Sequence, residues 1–600
     1  MSRSKKPERL TAKYKLKTTF KRIGAERSSY FMIAPFMIAF LIFTVIPVVT
    51  AICLSFTDFN MLQTPNLVGF DNYKTLFLND DVFIIAVKNT LILALITGPL
   101  GYIACFIFAW FINELPNKIR AFMTLIFYAP SISGSIYFIW TYILSGDRYG
   151  VVNGILLKLG LIDSPILWLS DTDYMLVCVI IVQLWLSLGT SFLSFLAGFK
   201  TVDTTLYEAG AIDGIHNRFQ EIWYLTLPQM KPQLLFGAVM QISSSFAVGA
   251  VPEALCGNPS TEYATHTIMN HISDYGGVRY ELGYACAIST VLLMVMLIVN
   301  KVINRYWLTN RREIMKRIRI KKQLNRSHTG NFAVLLMLVV VGMFMGLPLY
   351  YNIIQSFKPV EERFIFPPRF YVVNPTMSNY SQLFTLVSDL TVPFSRYLFN
   401  SVFVSIVSTG IGCLIGAMAA YPFAKKKFPG KDMLWRLIML TLLFSGGVTA
   451  LPSYIVKAKL GLINTYWVLI LPSLASTLHM FLLRQFMLQI PESLLDAAKL
   501  DGASDFRIFY DVVLPNVKPA WMTVMVLSFQ NVWNNGSGGV IFKEELKLLP
   551  TALSQITAGG IARSGASAAA AVLLMIPPIV AFVINQSRML QTMAHSGIKD

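Results

Sequence analysis

Two short stretches of this sequence match each other, although they lie about half the length of the chain apart. Residues 207–214 read YEAGAIDG, and residues 495–502 read LDAAKLDG. Each stretch is followed by the pair Leu-Pro, at positions 227–228 and 514–515. Self-similarity at a long separation indicates an internal repeat, so the matched stretches predict a chain built from two homologous units.

The sequence around both stretches is strongly apolar. The 600 residues are 55% hydrophobic and 14% charged, with a mean hydropathy of +0.57, whereas a soluble domain carries about 25% charged residues. This balance excludes a soluble, disordered or collagen-like chain and indicates an integral membrane protein. A run of about 20 apolar residues spans a bilayer as a helix. Twelve such spans are predicted, at 30–56, 82–113, 120–145, 175–199, 233–253, 284–307, 331–357, 394–424, 433–456, 465–489, 520–537 and 567–587.

The position of the matched stretches among these spans defines the architecture. Each stretch follows the fourth span of its half and precedes the fifth, so the repeats run parallel rather than inverted. We predict an all-α polytopic membrane protein with about twelve transmembrane helices in two parallel six-helix repeats. The first domain comprises residues 1–308, including a basic tail at 1–29, and the second comprises residues 331–600. A basic tether, residues 309–330, joins them.

The net charge of +18 lies in short basic clusters beside apolar runs, in the tail, in the tether and at residues 425–431. Cytoplasmic loops hold Lys and Arg against membrane lipid in this way. An orientation with both termini inside places most basic residues, and both matched stretches, on the cytoplasmic side. A basic patch interleaved with aromatic residues, which would indicate bound nucleic acid, is not found, so no nucleic-acid partner is predicted.

Each matched stretch carries the local signals of a helix, a turn and a second helix. The residues up to Glu208 have the spacing of a capping box, and those up to Asp496 come close to it. Gly214 and Gly502 are predicted to end the first helix, because glycine adopts the left-handed conformation without steric penalty. The second helix carries aromatic side chains, namely Phe219 and Trp223 in the first copy and Phe506, Phe509 and Tyr510 in the second.

The Leu-Pro pair is predicted to stop this second helix, because proline lacks an amide proton and clashes with the preceding turn. A single apolar helix of this kind would be interpreted as resting on lipid. Two copies at equivalent cytoplasmic positions instead favour a docking surface for two equivalent partners.

The pattern Glu-Ala-Ala, Asp-Gly, Leu-Pro resembles the "EAA" signature of permease subunits of ATP-binding-cassette importers. The second copy departs from it at Asp496, which replaces the usual Glu. The first has Gly210 for Ala, Ile215 for the Ala after Gly, and one extra residue before its Leu-Pro. In that family the loop supplies a coupling helix that sits in a groove of each ATPase subunit, so the resemblance implies two such ATPases as partners. The coupling residues it implies are Glu208, Ala209, Asp213, Gly214, Phe219, Pro228, Asp496, Ala497, Asp501, Gly502, Phe509 and Pro515.

The resemblance extends over nearly the whole chain. VGFDNY at 68–73 and YGVVN at 149–153 are typical of the first permease of a carbohydrate importer, while SFKP at 356–359 and the ending TMAHSGIKD at 592–600 are typical of its partner. The resemblance implies a MetI-like fold, with the two usual subunits fused in one polypeptide. It also implies import of oligosaccharides or polysaccharide fragments, an extracytoplasmic solute-binding protein, and a bacterial cytoplasmic membrane.

Energy for transport is predicted to come from another chain. The phosphate-binding pattern Gly-x-x-x-x-Gly-Lys-Ser/Thr does not occur in the sequence, so MgATP is expected on the partner ATPase and no cofactor on this chain. The six histidines form no metal-ligand or catalytic spacing, and His266 and His271 are interpreted as a solvated outer loop. The chain is therefore predicted to be a permease rather than an enzyme.

Polar residues at membrane depth are candidates for the substrate path, because they are costly unless they line a cavity. One such group near the outer end of the eleventh span comprises Gln530, Asn531, Trp533, Asn534 and Asn535. Planar amides and an aromatic ring suit a sugar, but hydrogen bonding between helices, with Trp533 as an interface anchor, is an equal alternative. For Gln241 and Ser243–Ser245 in the first half, helix packing is favoured.

Two other transport functions are weighed against the importer. A secondary transporter driven by an ion gradient would need intramembrane carboxylates, which are scarce, and would leave the matched stretches unexplained. A permease of the same class for a non-sugar solute is not excluded by the spans alone.

Overall fold

The computed structural model describes residues 22–24, 26–200, 202, 204–215, 218–309, 328–388, 392–442, 449–557 and 563–595. Regular structure within these ranges is helical, apart from one isolated bridge between Thr57 and Leu67. Most of the predicted basic tail and tether lies outside the described residues.

The first half contains six long helical segments. They are α1 (Arg27–Leu54), α2 (Asp81–Asn113), α3 (Asn117–Ile132), α4 (Thr172–Phe199), α5 (Lys231–Phe246) and α6 (Leu282–Thr309). The second half contains α7 (His328–Phe357), α8 (Phe394–Lys425), α9 (Lys431–Thr441), α10 (Ala450–Lys459), α11 (Trp467–Leu488), α12 (Lys518–Asn534) and α13 (Ser564–His595).

Twelve spans are predicted, and nine helices among the described residues are long and apolar enough to cross a membrane. The count becomes eleven if two bent pairs are each taken as one span. One pair is α3 with Ile136–Ile143, which turns by 85°, and the other is Asp505–Asn516 with Ala520–Asn534, which turns by 84°. The predicted ninth span corresponds to α9 and α10, and the residues between them at 443–448 are not among those described.

The first helix of each half also packs against the other half. The first-half helix α1 packs along α8 of the second half, and α7 of the second half packs along α3 of the first. The Tyr30 hydroxyl donates to the carbonyl of Pro429 at 2.7 Å, and the Trp185 indole donates to the carbonyl of Met345 at 3.0 Å. One hydrophobic core therefore contains buried residues of both halves.

Helix directions define two ends of the bundle. The start of α1 lies beside the second matched loop, because Ser28 donates to Asp505, and its other end lies beside the start of α6, because the amide of Gly283 donates to Phe59. The helix α2 begins beside α6 and ends at the first matched loop. Both matched loops thus lie at one end, which we call the loop end, and the opposite end is called the far end.

Candidate functional site

Both matched loops begin with a short helix closed by glycine. The helices Thr204–Ile212 and Glu492–Leu500 are followed by Gly214 and Gly502, whose φ values are +88° and +79°. The residue after each glycine donates its amide to the carbonyl five residues back, at 2.8 Å in the first loop and 3.1 Å in the second. This is the hydrogen-bond pattern of a Schellman cap, so both glycines reverse the chain as the sequence predicts.

The Leu-Pro pairs do not stop the second helix, contrary to the prediction. In each loop a short α-turn passes into a six-residue π-helix, Glu221–Thr226 or Ile508–Val513, and helix continues through the Leu-Pro pair. A π-turn accommodates proline because the ladder bond that its missing amide would make is already displaced. We call residues 218–229 and 505–516 the two loop helices.

The loop helices present apolar side chains to the outside. Phe219 is 57% exposed, and its counterpart by distance from the Leu-Pro pair, Phe506, is 47% exposed. The last residue of each preceding short helix, Ile212 or Leu500, is also apolar and exposed. Two equivalent apolar surfaces therefore lie at one end of the bundle.

Phe509 is the member of the predicted coupling set that does not reach this surface. Its side chain is only 4% exposed, and its ring lies 6.0 Å from that of Tyr421 on α8. The corresponding first-loop residue, Ile222, is buried in the same way. Phe509 therefore anchors its loop helix to the bundle, while Phe506 and Tyr510 are the exposed aromatics of the second loop.

The other predicted coupling residues lie at the surface of the two loops. Exposed positions comprise Glu208, Ala209, Asp213, Gly214, Phe219, Pro228, Asp496, Ala497, Asp501, Gly502 and Pro515. The first and second loops therefore bring their predicted residues together in two separate patches, one for each half.

The predicted substrate-path residues divide into three environments. Gln530 accepts a hydrogen bond of 2.7 Å from the Tyr128 hydroxyl, and Asn534 donates to the carbonyl of Ile132 at 2.8 Å, so both join the two halves. Trp533 is buried within the second half and donates to the carbonyl of Leu574 at 3.0 Å. Asn531 and Asn535 are exposed.

A crevice between the halves opens nearer the loop end and was not found from the sequence. Polar side chains in its lining are those of Thr190, Ser194, Gln233, Gln485 and Thr523. Its volume is about 20 Å³, room for about one water molecule. The rings of Phe236 and Phe481 stack across the halves at 4.5 Å. The two halves are therefore closely packed at this crevice, with the amide side chains of Gln233 and Gln485 in its lining.

The far end of the first half holds a buried chain of polar side chains. Tyr284 donates to the Asp80 carboxylate at 2.7 Å, His271 Nε2 lies 2.9 Å from the same oxygen, and His271 Nδ1 lies 3.2 Å from His266 Nε2. His266 and His271 are only 3% and 1% exposed, so the solvated loop expected from the sequence is wrong. The sequence spacing suggested no partner because Asp80 lies far away along the chain.

Burial sets the protonation of these histidines. Loss of hydration, with a smaller contribution from the neighbouring His271, lowers the pKa of His266 to about 4. Burial also lowers the pKa of His271. Burial by itself would raise the pKa of Asp80, but hydrogen bonds from Tyr284, the Phe83 amide and His271 lower it. No cluster of three or more potential metal ligands occurs in the part of the chain that the structure describes.

Comparison with known proteins finds two matched segments in this chain. Residues 99–309 and 412–592 each match the family described as "Binding-protein-dependent transport system inner membrane component". The probable ABC transporter permease protein YesP of Bacillus subtilis is 31% identical over 289 residues, which cover 47% of this chain and 91% of YesP.

Two further relatives from Bacillus subtilis are named for carbohydrates. The arabinooligosaccharides transport system permease protein AraP is 30% identical over 45% of this chain and 85% of AraP. The polygalacturonan/rhamnogalacturonan transport system permease protein YtcP is 30% identical over 34% of this chain and 69% of YtcP. YesP and AraP thus each align over most of their own length with less than half of this chain.

Proposed function

Because the chain belongs to the family of inner membrane components of binding-protein-dependent transport systems, we propose that it forms both halves of the translocation pathway of an ATP-driven oligosaccharide importer. Family membership confirms the predicted permease class and the presence of two permease units, and it disfavours the ion-gradient alternative. Two separate ATPase subunits would bind MgATP and dock on the loop end. An extracytoplasmic solute-binding protein would deliver the sugar at the far end.

The observation that carries the proposal is the repetition of one loop geometry with an exposed apolar surface. Each loop helix follows a left-handed glycine and exposes an aromatic ring at the same position. In the second half the loop helix lies at 84° to α12, across the end of the bundle. A rigid helix in this position transmits movement of a bound subunit to the spans. This arrangement, together with the basic clusters, supports a cytoplasmic loop end.

The coupling role is tested with glycine variants that have matched controls. Gly502→Pro and Gly214→Pro replace a positive φ with the fixed negative φ of proline. Gly160 and Gly461, outside the two loops, have φ values of +67°, and the residue after each donates its amide to the carbonyl five residues back. We expect Gly214→Pro and Gly502→Pro to lower the rate of ATP-driven solute import by about tenfold or more, while Gly160→Pro and Gly461→Pro keep the parent rate. Parent-like import by both loop variants would contradict the proposal.

The sugar substrate is supported by the names of the relatives and by the amides in the crevice. Gln485 lines the crevice, whereas Gln489, the residue just past the end of α11, is exposed. In uptake assays with arabinan and pectin fragments, Gln485→Leu is expected to raise the half-saturating concentration by about tenfold, the effect of losing one or two hydrogen bonds. Gln489→Leu serves as the control. Uptake of a non-sugar solute alone would redirect the substrate assignment without affecting the coupling role.

A further inference from the structure

One ion pair fastens each loop helix to the second span of its own half. The Arg218 guanidinium lies 2.5 Å from the Glu114 carboxylate in the first half. In the second half the Lys426 ammonium pairs with the Asp505 carboxylate. These four side chains are between 15% and 27% exposed, so solvent screens them less than ordinary surface pairs.

The two pairs occupy equivalent positions. Arg218 and Asp505 are the first residues of their loop helices and stand at the same distance from the Leu-Pro pair that follows. Glu114 and Lys426 are the C-cap residues of α2 and α8, the second spans of the two halves. The same two positions are thus joined in both halves, but with the charges exchanged.

Local helix electrostatics do not explain the exchange. A helix N-terminus favours an acidic residue, and a C-terminus favours a basic one. Asp505 and Lys426 satisfy both preferences, whereas Arg218 and Glu114 oppose both. If the pairs only stabilised their own helix ends, the polarity of the second half would be expected in the first half as well.

The exchange does discriminate between the halves. Both loops lie at one end of the bundle, and α1 and α7 each pack against the other half as well as their own. A loop helix seated against the wrong second span would bring Arg218 to Lys426, or Asp505 to Glu114. Like charges in such partly buried positions repel, and repulsion of this kind is how related interfaces reject wrong partners.

We propose that Glu114 and Lys426 are positioning residues for coupling, which hold each loop helix on its own half, and that the opposite polarity of the two pairs prevents either helix from seating on the other half. The inference deepens the proposed function and rests on ATPase docking at the loops. The positioning itself is measurable without a solute.

The test exchanges charges without changing the net charge. Glu114→Lys with Lys426→Glu makes both native pairs repulsive and both wrong pairs attractive. Adding Arg218→Glu and Asp505→Lys restores attraction within each half and preserves the opposite polarity. Lys74→Glu breaks the exposed pair with Asp71 near the far end and is the control.

Hydrogen exchange of the loop helices, measured on the chain purified in lipid with its co-purifying ATPases, reports positioning directly. We expect amides in 218–226 and 505–513 to exchange about tenfold faster in the double variant, and to return to the parent rate in the quadruple variant. The ATPases retained per chain should fall and recover in parallel. Parent-like exchange in the double variant, or no recovery in the quadruple variant, would overturn the inference.

A further variant isolates the role of polarity. Glu114→Lys with Arg218→Asp gives both halves the Lys–Asp polarity, so each pair stays attractive while the discrimination is lost. A second, faster-exchanging population of loop helices is expected, and a single parent-like population would overturn the polarity part. If the parent chain retains no ATPase, the proposed function fails, while the exchange rates still decide whether the pairs position the loops.

Discussion

The two matched loops share one backbone and differ in most of their side chains. Both reverse at a left-handed glycine and both pass through a π-turn before the Leu-Pro pair. In the first loop, the exposed ring of Phe219 packs against Trp110, with 5.5 Å between the ring centroids. In the second loop, the ion pair that holds the loop helix to the bundle has its acidic and basic residues exchanged relative to the first. The repeat therefore preserves the backbone geometry of the loop, while the side-chain contacts that hold each loop to the bundle have diverged.

The greatest difference in stability is expected between variants of the buried and the exposed aromatic residue of the second loop. Phe509→Ala removes a buried ring, and we expect it to lower the free energy of unfolding by about 3–5 kcal/mol. Phe506→Ala acts at an exposed site, and its effect is expected to be about 0.5 kcal/mol or less. Chemical denaturation followed by tryptophan fluorescence in detergent measures both variants.

Replacing the exposed ring of each loop helix compares the two docking surfaces. Phe506→Ala and its first-loop counterpart Phe219→Ala should both weaken ATPase retention while leaving the fold intact. If Phe506→Ala instead unfolded the chain as readily as Phe509→Ala, the assignment of an exposed docking face would be wrong.

The far ends of the two halves differ in their response to pH. In the first half the folded pKa of His266 is about 4, below its ordinary 6.5, so the unfolded chain takes up the proton first as pH falls. The stabilisation is fully present above pH 6.5 and is lost toward pH 4, by about 3 kcal/mol at most. The second half has at this end a Tyr397–Glu544 hydrogen bond in place of histidines.

Thermal unfolding between pH 7.5 and pH 4.5 measures this difference. We expect the Tm of the parent to fall through this range and that of His266→Gln to fall much less, because Gln keeps a donor for His271 without titrating. Equal slopes for the two chains would show that another group controls the acid response.

A smaller effect is expected at the hydrogen bond between the halves. Gln530 is 5% exposed, and its Nε2 has no hydrogen-bond partner among the described residues. Tyr128→Phe would leave the Gln530 carbonyl unpaired as well, at a cost of about 1–3 kcal/mol. Adding Gln530→Leu should recover much of that loss in a double-mutant cycle, and a purely additive cycle would contradict the contact.

The smallest effect concerns an ion pair of the second loop whose basic residue, Lys499, is replaced by Ala211 in the first loop. Lys499 and Asp496 lie 2.8 Å apart, with side chains 52% and 63% exposed. Solvent screens such a pair, so Asp496→Asn should change the unfolding free energy by about 0.5 kcal/mol or less. A larger change in calorimetry would mean that this pair, rather than the loop backbone, distinguishes the second loop.

The sequence predicts the parts of the molecule that depend on local signals. Apolar runs of bilayer length identify most spans, and Gly214 and Gly502 mark the turns because a left-handed position favours glycine. Local signals do not distinguish the buried Phe509 from the exposed Phe506. The two rings lie three positions apart on one helix, and the sequence does not show which of them faces the bundle. The helix also continues through the Leu-Pro pair because of a π-turn, which the usual helix-breaking effect of proline does not predict.

Features that join distant residues are beyond such signals. His266 and His271 stand five positions apart, and this spacing gives no indication that both are buried or that His271 contacts Asp80. The crevice amides Gln233 and Gln485 lie near helix ends on different halves, where amides are usual, and only the packing of the halves brings them to one opening. Tertiary contact, rather than local propensity, creates these sites.

In the proposed importer one chain supplies two coupling sites, and the mass of the complex reports how many of them are occupied. Native mass spectrometry of the tagged chain, purified with its ATPases, should give one chain with two ATPase subunits. Gly214→Pro and Gly502→Pro should each leave one ATPase per chain, and the double variant should leave none. A parent complex of two chains with two ATPases, in which each chain uses a single loop, would contradict the account.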